Sequence, residues 1–168
     1  MTTLYLVRHG ETVDNAAQIL QGQQQGELNE NGIKQAEEVR DRFTNEENDA
    51  FVASDLKRSV DTCKIIALPH QKEVRTTPLL RERDWGDFTG AFIPDLKDKL
   101  WPPNVEPIEK LKSRARDFLT FIKENYPDKK VLAVGHGIIN KAVQSVYYGK
   151  PMKEIRPMGN AEVRILEL

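Results

Sequence analysis

Arg8 and His9 stand side by side at the end of a short apolar run, Leu4-Tyr5-Leu6-Val7, and His136 stands between two glycines at the end of another, Val131-Leu132-Ala133-Val134. Arg58 follows closely on a third, Ala50-Phe51-Val52-Ala53. Two imidazoles and two guanidiniums with no nearby acidic ligand cluster make a poor metal site, because the arginines repel a cation. They make a good anion site. The guanidinium is a planar fork matched to phosphate oxygens, and Gly10 and Gly137 let backbone amides come close at helix starts. Phosphoryl transfer needs a nucleophile in line, stabilisation of charge on the equatorial oxygens and a proton for the leaving group. A neutral imidazole attacks phosphorus, and flanking cations disfavour its protonation, which marks His9 as the candidate nucleophile. Arg8, Arg58 and a protonated His136 are the candidates to hold the group, and Glu82, within Arg81-Glu82-Arg83-Asp84, to supply the proton.

Each residue also has a plainer explanation. An isolated Arg-His pair is more often structural than catalytic. A glutamate between two arginines is usually part of a solvated charge cluster, and Arg58 could simply pair with Asp55 or Asp61. What favours the chemistry is the elements that would carry these residues. Residues 3–8 form a branched, apolar run that predicts a buried strand. Asn29 is a candidate N-cap for a helix with Ile33, Ala36, Val39 and Phe43 inward, closed by the polar run at 45–48. Residues 50–53 predict a second strand, followed by a helix with Val60, Cys63 and Ile66 on one side that Pro69 ends.

Val74 to Leu80 predicts a third extended segment. From Gly90 to Pro107 four prolines break the pattern and predict a short flap, with a small helix over 95–100. A helix follows with Ile108, Leu111, Ala115, Phe118 and Ile122 on one stripe, then a strand over 131–134. Gly135-His136-Gly137 opens a helix with Ile139, Ala142, Val143 and Val146 inward, and 161–168 alternates like a final edge strand. Strands alternating with helices predict one α/β domain over 1–168, a three-layer α/β/α sandwich on a largely parallel sheet. Such sheets bind ligands at the carboxyl ends of their strands, where Arg8-His9, Arg58 and His136 would meet.

At 168 residues the chain suits one core, and 39% hydrophobic and 30% charged residues are ordinary for a globular protein. A formal net charge of -1 gives no general reason to expect nucleic acid or an anionic membrane, so anion binding must be local. Apolar runs fall short of a membrane span and the N-terminus passes directly into strand-like sequence, which predicts a cytoplasmic, unprocessed chain. The one cysteine, Cys63, rules out an intrachain disulfide and a cysteine-rich metal site, and falls on an apolar helix face. His70 sits in a polar loop and is expected to be solvated.

The segment Leu6-Val7-Arg8-His9-Gly10-Glu11-Thr12, with Asn15 three residues on, resembles the signature of the histidine phosphatase superfamily, the phosphoglycerate mutase-like branch. The resemblance continues through Gln21-Gly22, Leu28-Asn29-Glu30-Asn31-Gly32, Gln35-Ala36, Ser54 to Arg58, Leu80-Arg81-Glu82 with Gly86 and Gly90, and Val134-Gly135-His136-Gly137. It implies a phosphoglycerate mutase-like fold, a transiently phosphorylated His9, a phosphoryl site built by Arg8, Arg58 and His136, and Glu82 as proton donor. It also implies phosphate or substrate contacts from Asn15, Gln21, Gly22 and the Gly137 amide, with Asn160 before the last strand. The family's frequent Trp-Glu-Gly is here Phe88-Thr89-Gly90, Asn29 and Gln25 replace a usual threonine and aspartate, and Lys141 stands where relatives often have arginine.

These features lead to the expectation of a phosphatase that hydrolyses a small phosphomonoester through phosphohistidine, without metal or cofactor, releasing inorganic phosphate. The alternatives are mutase-type phosphoryl transfer, disfavoured by the short flap, and a protein phosphohistidine phosphatase, disfavoured by the retained Glu82. A catalytically dead phosphoryl-ligand module is disfavoured by the intact residue set. Phe92, Trp101 and Trp85 are candidates to border the leaving-group pocket or to serve in packing.

Overall fold

The computed structural model describes residues 1–168. In chain order its elements are β1 (Thr3–Arg8), α1 (Val13–Ala16), α2 (Glu30–Phe43), β2 (Ala50–Ser54), α3 (Lys57–Ala67), β3 (Val74–Thr77), α4 (Ile108–Asn125), β4 (Lys130–Gly135), α5 (Gly137–Tyr148) and β5 (Val163–Glu167). They form the expected α/β/α sandwich on a sheet of order β3-β2-β4-β1-β5, in which only β5 is antiparallel to its neighbour. The side-chain period of two in a strand divides the core between the faces. Leu4 and Leu6 of β1 meet Leu111, Ala115, Phe118 and Ile122 of α4 and Ile139, Ala142 and Val143 of α5. Tyr5 and Val7 face Val39 and Phe43 of α2 and Cys63 and Ile66 of α3.

The register places Arg8 of β1 opposite Gly135 of β4, and the His9 amide continues the ladder by donating to the Gly135 carbonyl at 3.1 Å. The chain leaves β1 towards the α2–α3 layer, whereas from β4 it leaves into α5 on the other face. The crevice between these two strand ends is the place where a parallel sheet opens to a ligand.

Several details depart from the sequence-based expectations. Ile33 is 43% exposed rather than inward, because Gly32 and Ala36 make the contact at that end of α2. The extended segment after residue 74 becomes a 3-10 turn at Pro78–Leu80, since proline cannot donate to a ladder. The small helix over 95–100 is absent; a 3-10 turn over Ile93–Leu96 precedes it instead. Residues 90–93 are sewn to Gln18–Leu20 by three backbone hydrogen bonds, including Ile93 N to Gln18 O at 2.8 Å, which pair Ile19 with Phe92. His70 is half-buried with its ring 5.0 Å from that of Phe51, not solvated.

The loop after His9 lies directly on the start of α2. A Cβ on Gly32 would stand 1.9 Å from the carbonyl oxygen of Glu11, and one on Gly10 would stand 2.4 Å from the carbonyl of Gly32. Backbone cannot yield to such overlap as a flexible side chain can. Gly32→Ala should therefore lower unfolding free energy by about 2–3 kcal/mol in urea titrations, and a change below ~0.5 kcal/mol would contradict this packing.

Candidate active site

His9 is 3% exposed, and its Nδ1 lies 2.7 Å from the carbonyl oxygen of Gly10. A carbonyl only accepts, so Nδ1 carries the proton and Nε2 keeps its lone pair. The loop is fixed from several sides. Gly10 N donates to Thr62 Oγ1 at 3.1 Å, and the Asn160 amide donates to His9 O at 3.2 Å. Burial first, then the Arg58 charge, hold the His9 imidazole down at about 3 despite its bond to Gly10. His9 is thus neutral at physiological pH.

His136 caps α5 and is fully buried behind His9, with ring centroids 5.0 Å apart, rather than on the cavity wall. Its Nε2 lies 2.7 Å from Ser54 Oγ and 3.0 Å from Ser59 Oγ, while its Nδ1 is buried without a partner. Ser54 Oγ already accepts the Leu56 amide at 3.3 Å, so its own hydrogen is free to point at Nε2. That arrangement goes with the single proton on Nδ1. Burial and Arg58 keep this imidazole well below its usual range, so the ligand-free protein holds a neutral His136 and not the protonated one expected from sequence. A neutral imidazole with Nδ1–H still donates to an anion.

Arg58 has neither of the carboxylate partners that its neighbours in sequence offered. Asp55 is held by both arms of Arg81 at 2.7 Å, and Asp61 by Lys57 at 2.7 Å. Arg58 is instead 1% exposed and clasped by carbonyls: Nη2 donates to Gly22 O at 2.7 Å and Nη1 to Gln25 O at 3.2 Å and to Gln24 O. Arg8 donates from Nη1 to Met158 O at 2.7 Å, and both arginines leave a buried Nε without an acceptor. Burial lowers both guanidiniums, Arg58 to about 10, and leaves them cationic. Gly26, which the sequence reading passed over, makes the clasp possible. It has φ +75°, and a Cβ there would stand 2.5 Å from Gln21 Oε1 and 3.1 Å from Arg58 Cδ.

Glu82 does something the sequence did not suggest: it caps α5. Oε1 accepts from Ile139 N at 3.0 Å and Arg83 N at 2.9 Å, and Oε2 from Ile138 N at 3.1 Å. Of the first α5 amides, that leaves Gly137 N without a protein acceptor, and Oε2 with room for one more bond. Asn15 Oδ1 accepts from Thr12 N at 3.1 Å and Asn160 Nδ2 at 3.3 Å, which turns the Asn15 NH2 out as its free end. Gln21 Oε1 is buried and unpartnered.

A cavity of about 270 Å³ gathers Arg8, His9, Asn15, Gln21, Gly22, Arg58, Glu82 and Gly137. Among the aromatics only Trp85 lines it; Trp101 packs edge-on against Trp85 at 5.3 Å and Phe92 stays outside. Ile19, Leu20, Ile93, Ile138, Lys141, Pro157 and Met158 complete the walls. Ile19, Leu20 and Ile93 carry no local signal, because the cross-chain bonds of residues 18–20 to 90–93 bring them there.

The acid segment is anchored by a residue that the sequence reading missed. Arg114 of α4 donates to the carbonyls of Leu79 at 3.0 Å and Arg81 at 2.9 Å and grips Glu106 at 2.8 and 2.9 Å. Its position three residues after Leu111 and four before Phe118 puts it at the edge of the buried stripe, the one signal that could have found it.

The fold and the site define a phosphoryl-binding α/β sandwich with a histidine at each of two adjacent parallel strand ends. A family model of the histidine phosphatase superfamily (branch 1) matches residues 4–168, and the chain belongs to that family. It is 36% identical over 160 residues to the metal-independent phosphoserine phosphatase of Arabidopsis thaliana, covering 85% of this chain and 67% of that one. It is 34% identical over 166 residues to the uncharacterized phosphatase PhoE of Bacillus subtilis (strain 168), covering 96% and 86%. The solved structure of a mycobacterial glucosyl-3-phosphoglycerate phosphatase complexed with VO3 superposes with a TM-score of 0.89 at 25% identity, over 98% of this chain and 92% of that one.

Two predictions follow from this geometry. Both histidines are depressed in the folded state, so below about pH 6.5 the unfolded chain takes up protons that the folded one refuses. Each histidine then removes up to about 1.4 kcal/mol of stability per pH unit as pH falls from ~6 towards ~4, and none above ~7. Denaturant titrations of wild type and His9→Ala in phosphate-free buffer should show the variant losing less stability per pH unit. Second, Arg114→Met leaves the Glu106 carboxylate buried and unpaired. It should cost about 3–5 kcal/mol and reduce turnover most for esters with poor leaving groups; equal loss on aryl and alkyl phosphates would argue against a role in placing Glu82.

Proposed function

We propose that the protein is a metal-independent phosphatase that hydrolyses a small phosphomonoester through a phosphohistidine at His9. One observation supports this above the rest: the bond from His9 Nδ1 to Gly10 O leaves a neutral Nε2 in a cavity whose charged walls are Arg8, Arg58 and Glu82 with Lys141. In the first step Nε2 attacks phosphorus, the P–O bond to the leaving group breaks, and Glu82 gives its proton to the departing oxygen. Arg8, Arg58, the Nδ1–H of His136, the Asn15 amide and Gly137 N–H balance the charge on the equatorial oxygens. In the second, a water gives a proton to Glu82 and attacks phosphorus, the P–N bond breaks, and inorganic phosphate leaves. The guanidiniums take the place that a metal ion holds in other phosphoryl-transfer sites.

The relative named for phosphoserine and the neighbour named for glucosyl-3-phosphoglycerate both support a small-molecule phosphoester as substrate. We take the whole chain as one catalytic domain in which residues 90–107 form a short flap, leaving water access to the phosphoenzyme. No helix is long and apolar enough to cross a membrane, and we place the reaction in the cytoplasm.

His9→Ala should abolish phosphate release, and acid-quenched wild type should carry an acid-labile phosphoryl group on His9. Glu82→Gln should slow alkyl phosphates by about 10²–10⁴-fold and p-nitrophenyl phosphate by less than about tenfold. Full activity of His9→Ala would rule out the covalent route, transfer of the group to a second metabolite without phosphate release would indicate a mutase, and inactivation by EDTA would overturn metal independence.

A further inference from the structure

Residues 94–103, the middle of the flap, make no hydrogen bond or ion pair outside it. The flap is tied down only at its ends: Gly90 N donates to Leu20 O at 2.7 Å, and Glu106 N to Asp84 O at 2.8 Å. What reaches out from the middle is a ring. Trp101, although 56% exposed, packs edge-on against Trp85 with centroids 5.3 Å apart and against Phe88 at 6.4 Å. Trp101 lies outside the cavity, whereas Trp85 lines it with Ile19, Leu20 and Ile93.

Against both indoles stands the guanidinium of Arg83, its Cζ 4.9 Å from the ring centroid of Trp85 and 5.0 Å from that of Trp101. Arg83 is 6% exposed and belongs to none of the protein's ion pairs. Its direct partners are the Glu106 carbonyl, which accepts from Nε at 2.8 Å, and the two ring faces. A planar guanidinium stacks on an indole and is attracted by its quadrupole, and no other cationic side chain does both. Arg83 also follows Glu82 in the chain, and its own amide donates to Glu82 Oε1 at 2.9 Å. One residue therefore joins the proton donor, the cavity wall and the middle of the flap.

Resting on the phosphatase reading, we propose that Arg83 is a positioning residue: its guanidinium clamps Trp101 of the flap to Trp85, and so holds the Trp85 indole as a fixed wall for the leaving group. A wall already fixed loses little side-chain freedom when a ligand settles on it. Trp101 acts through the same clamp without touching the ligand. The phosphoryl end of the cavity, built by Arg8 and Arg58 on other elements, does not depend on it.

The test compares phenyl phosphate with methyl phosphate, which share the phosphoryl group and differ in the apolar group that meets the wall. Their Kd values are measured by calorimetry in phosphate-free buffer on His9→Ala, which keeps the cavity but not the nucleophile, alongside phosphate release by wild type. Phenyl phosphate should bind at least about tenfold more tightly. Adding Arg83→Met or Trp101→Ala should each cut that ratio to about threefold or less, with the Kd of methyl phosphate within about twofold of its former value. The two together should cut it no further than either alone. Trp101 is exposed enough to be replaced without opening the core, which keeps the test decisive if Arg83→Met fails to fold. Tryptophan fluorescence anisotropy, to which only Trp85 and Trp101 contribute, should fall in folded Arg83→Met. A ratio below about threefold in the parent, a ratio above it in either folded variant, equal weakening of both esters, or unchanged anisotropy overturns the clamp. Any of these results with phosphate released by wild type removes the clamp and leaves the phosphatase standing. No release from either ester, with a ratio that depends on Arg83 and Trp101, removes the reaction and leaves the clamp standing.

Discussion

Burying a guanidinium without a carboxylate is expensive, and this protein does so twice at one strand edge. Arg58 is almost fully enclosed and hydrogen-bonds only to the carbonyls of Gly22, Gln24 and Gln25, while the Glu82 carboxylate acts on it from across the cavity. Arg8 is met by the carbonyl of Met158. Dipoles partly replace hydration but do not neutralise, so the crevice keeps a net positive field that an anion can satisfy. Of the carboxylates close to Arg58 in sequence, Asp55 is turned to Arg81 and Asp61 to Lys57, and Glu82 across the cavity is held by the α5 amides. The same field, together with burial, keeps His9 and His136 unprotonated. Anion affinity and a neutral nucleophile thus have one physical cause.

Holding that arrangement falls to the backbone and to residues away from the cavity. The β1–β4 register aligns Arg8 with Gly135 and brings the two histidines into contact. Glu82 is placed by the α5 amides on one side and, through the carbonyls of Leu79 and Arg81, by Arg114 on the other. The carboxylate and the first turn of α5 therefore move as one piece, which fixes the distance between proton donor and phosphoryl site better than a loop alone would.

Much of this was legible in the sequence because it is local. Apolar runs of period two and stripes of period 3.6 gave the strands and long helices to within a few residues, and Asn29 caps α2 as its type and position suggest. His9, His136, Arg8 and Arg58 could be found because each sits where a strand ends, and a parallel sheet sends such ends to one edge. The errors were equally physical. Where a helix was expected at 95–100 there is a 3-10 turn at Ile93–Leu96, entered through the bond of Ile93 N to Gln18 O, and His70 lies against Phe51; both partners are distant in sequence.

Residue type and spacing by themselves determined the kind of fold and the anionic nature of the ligand, because hydrophobic period and the chemistry of arginine and histidine do not depend on distant partners. Only the tertiary structure decided which charges are neutralised and which are left to a ligand. Arg58 and Lys57 are neighbours on one helix start, yet one is paired with Asp61 and the other is not. Pairing is a matter of a few ångströms, and such distances are fixed by how elements far apart in the chain pack together.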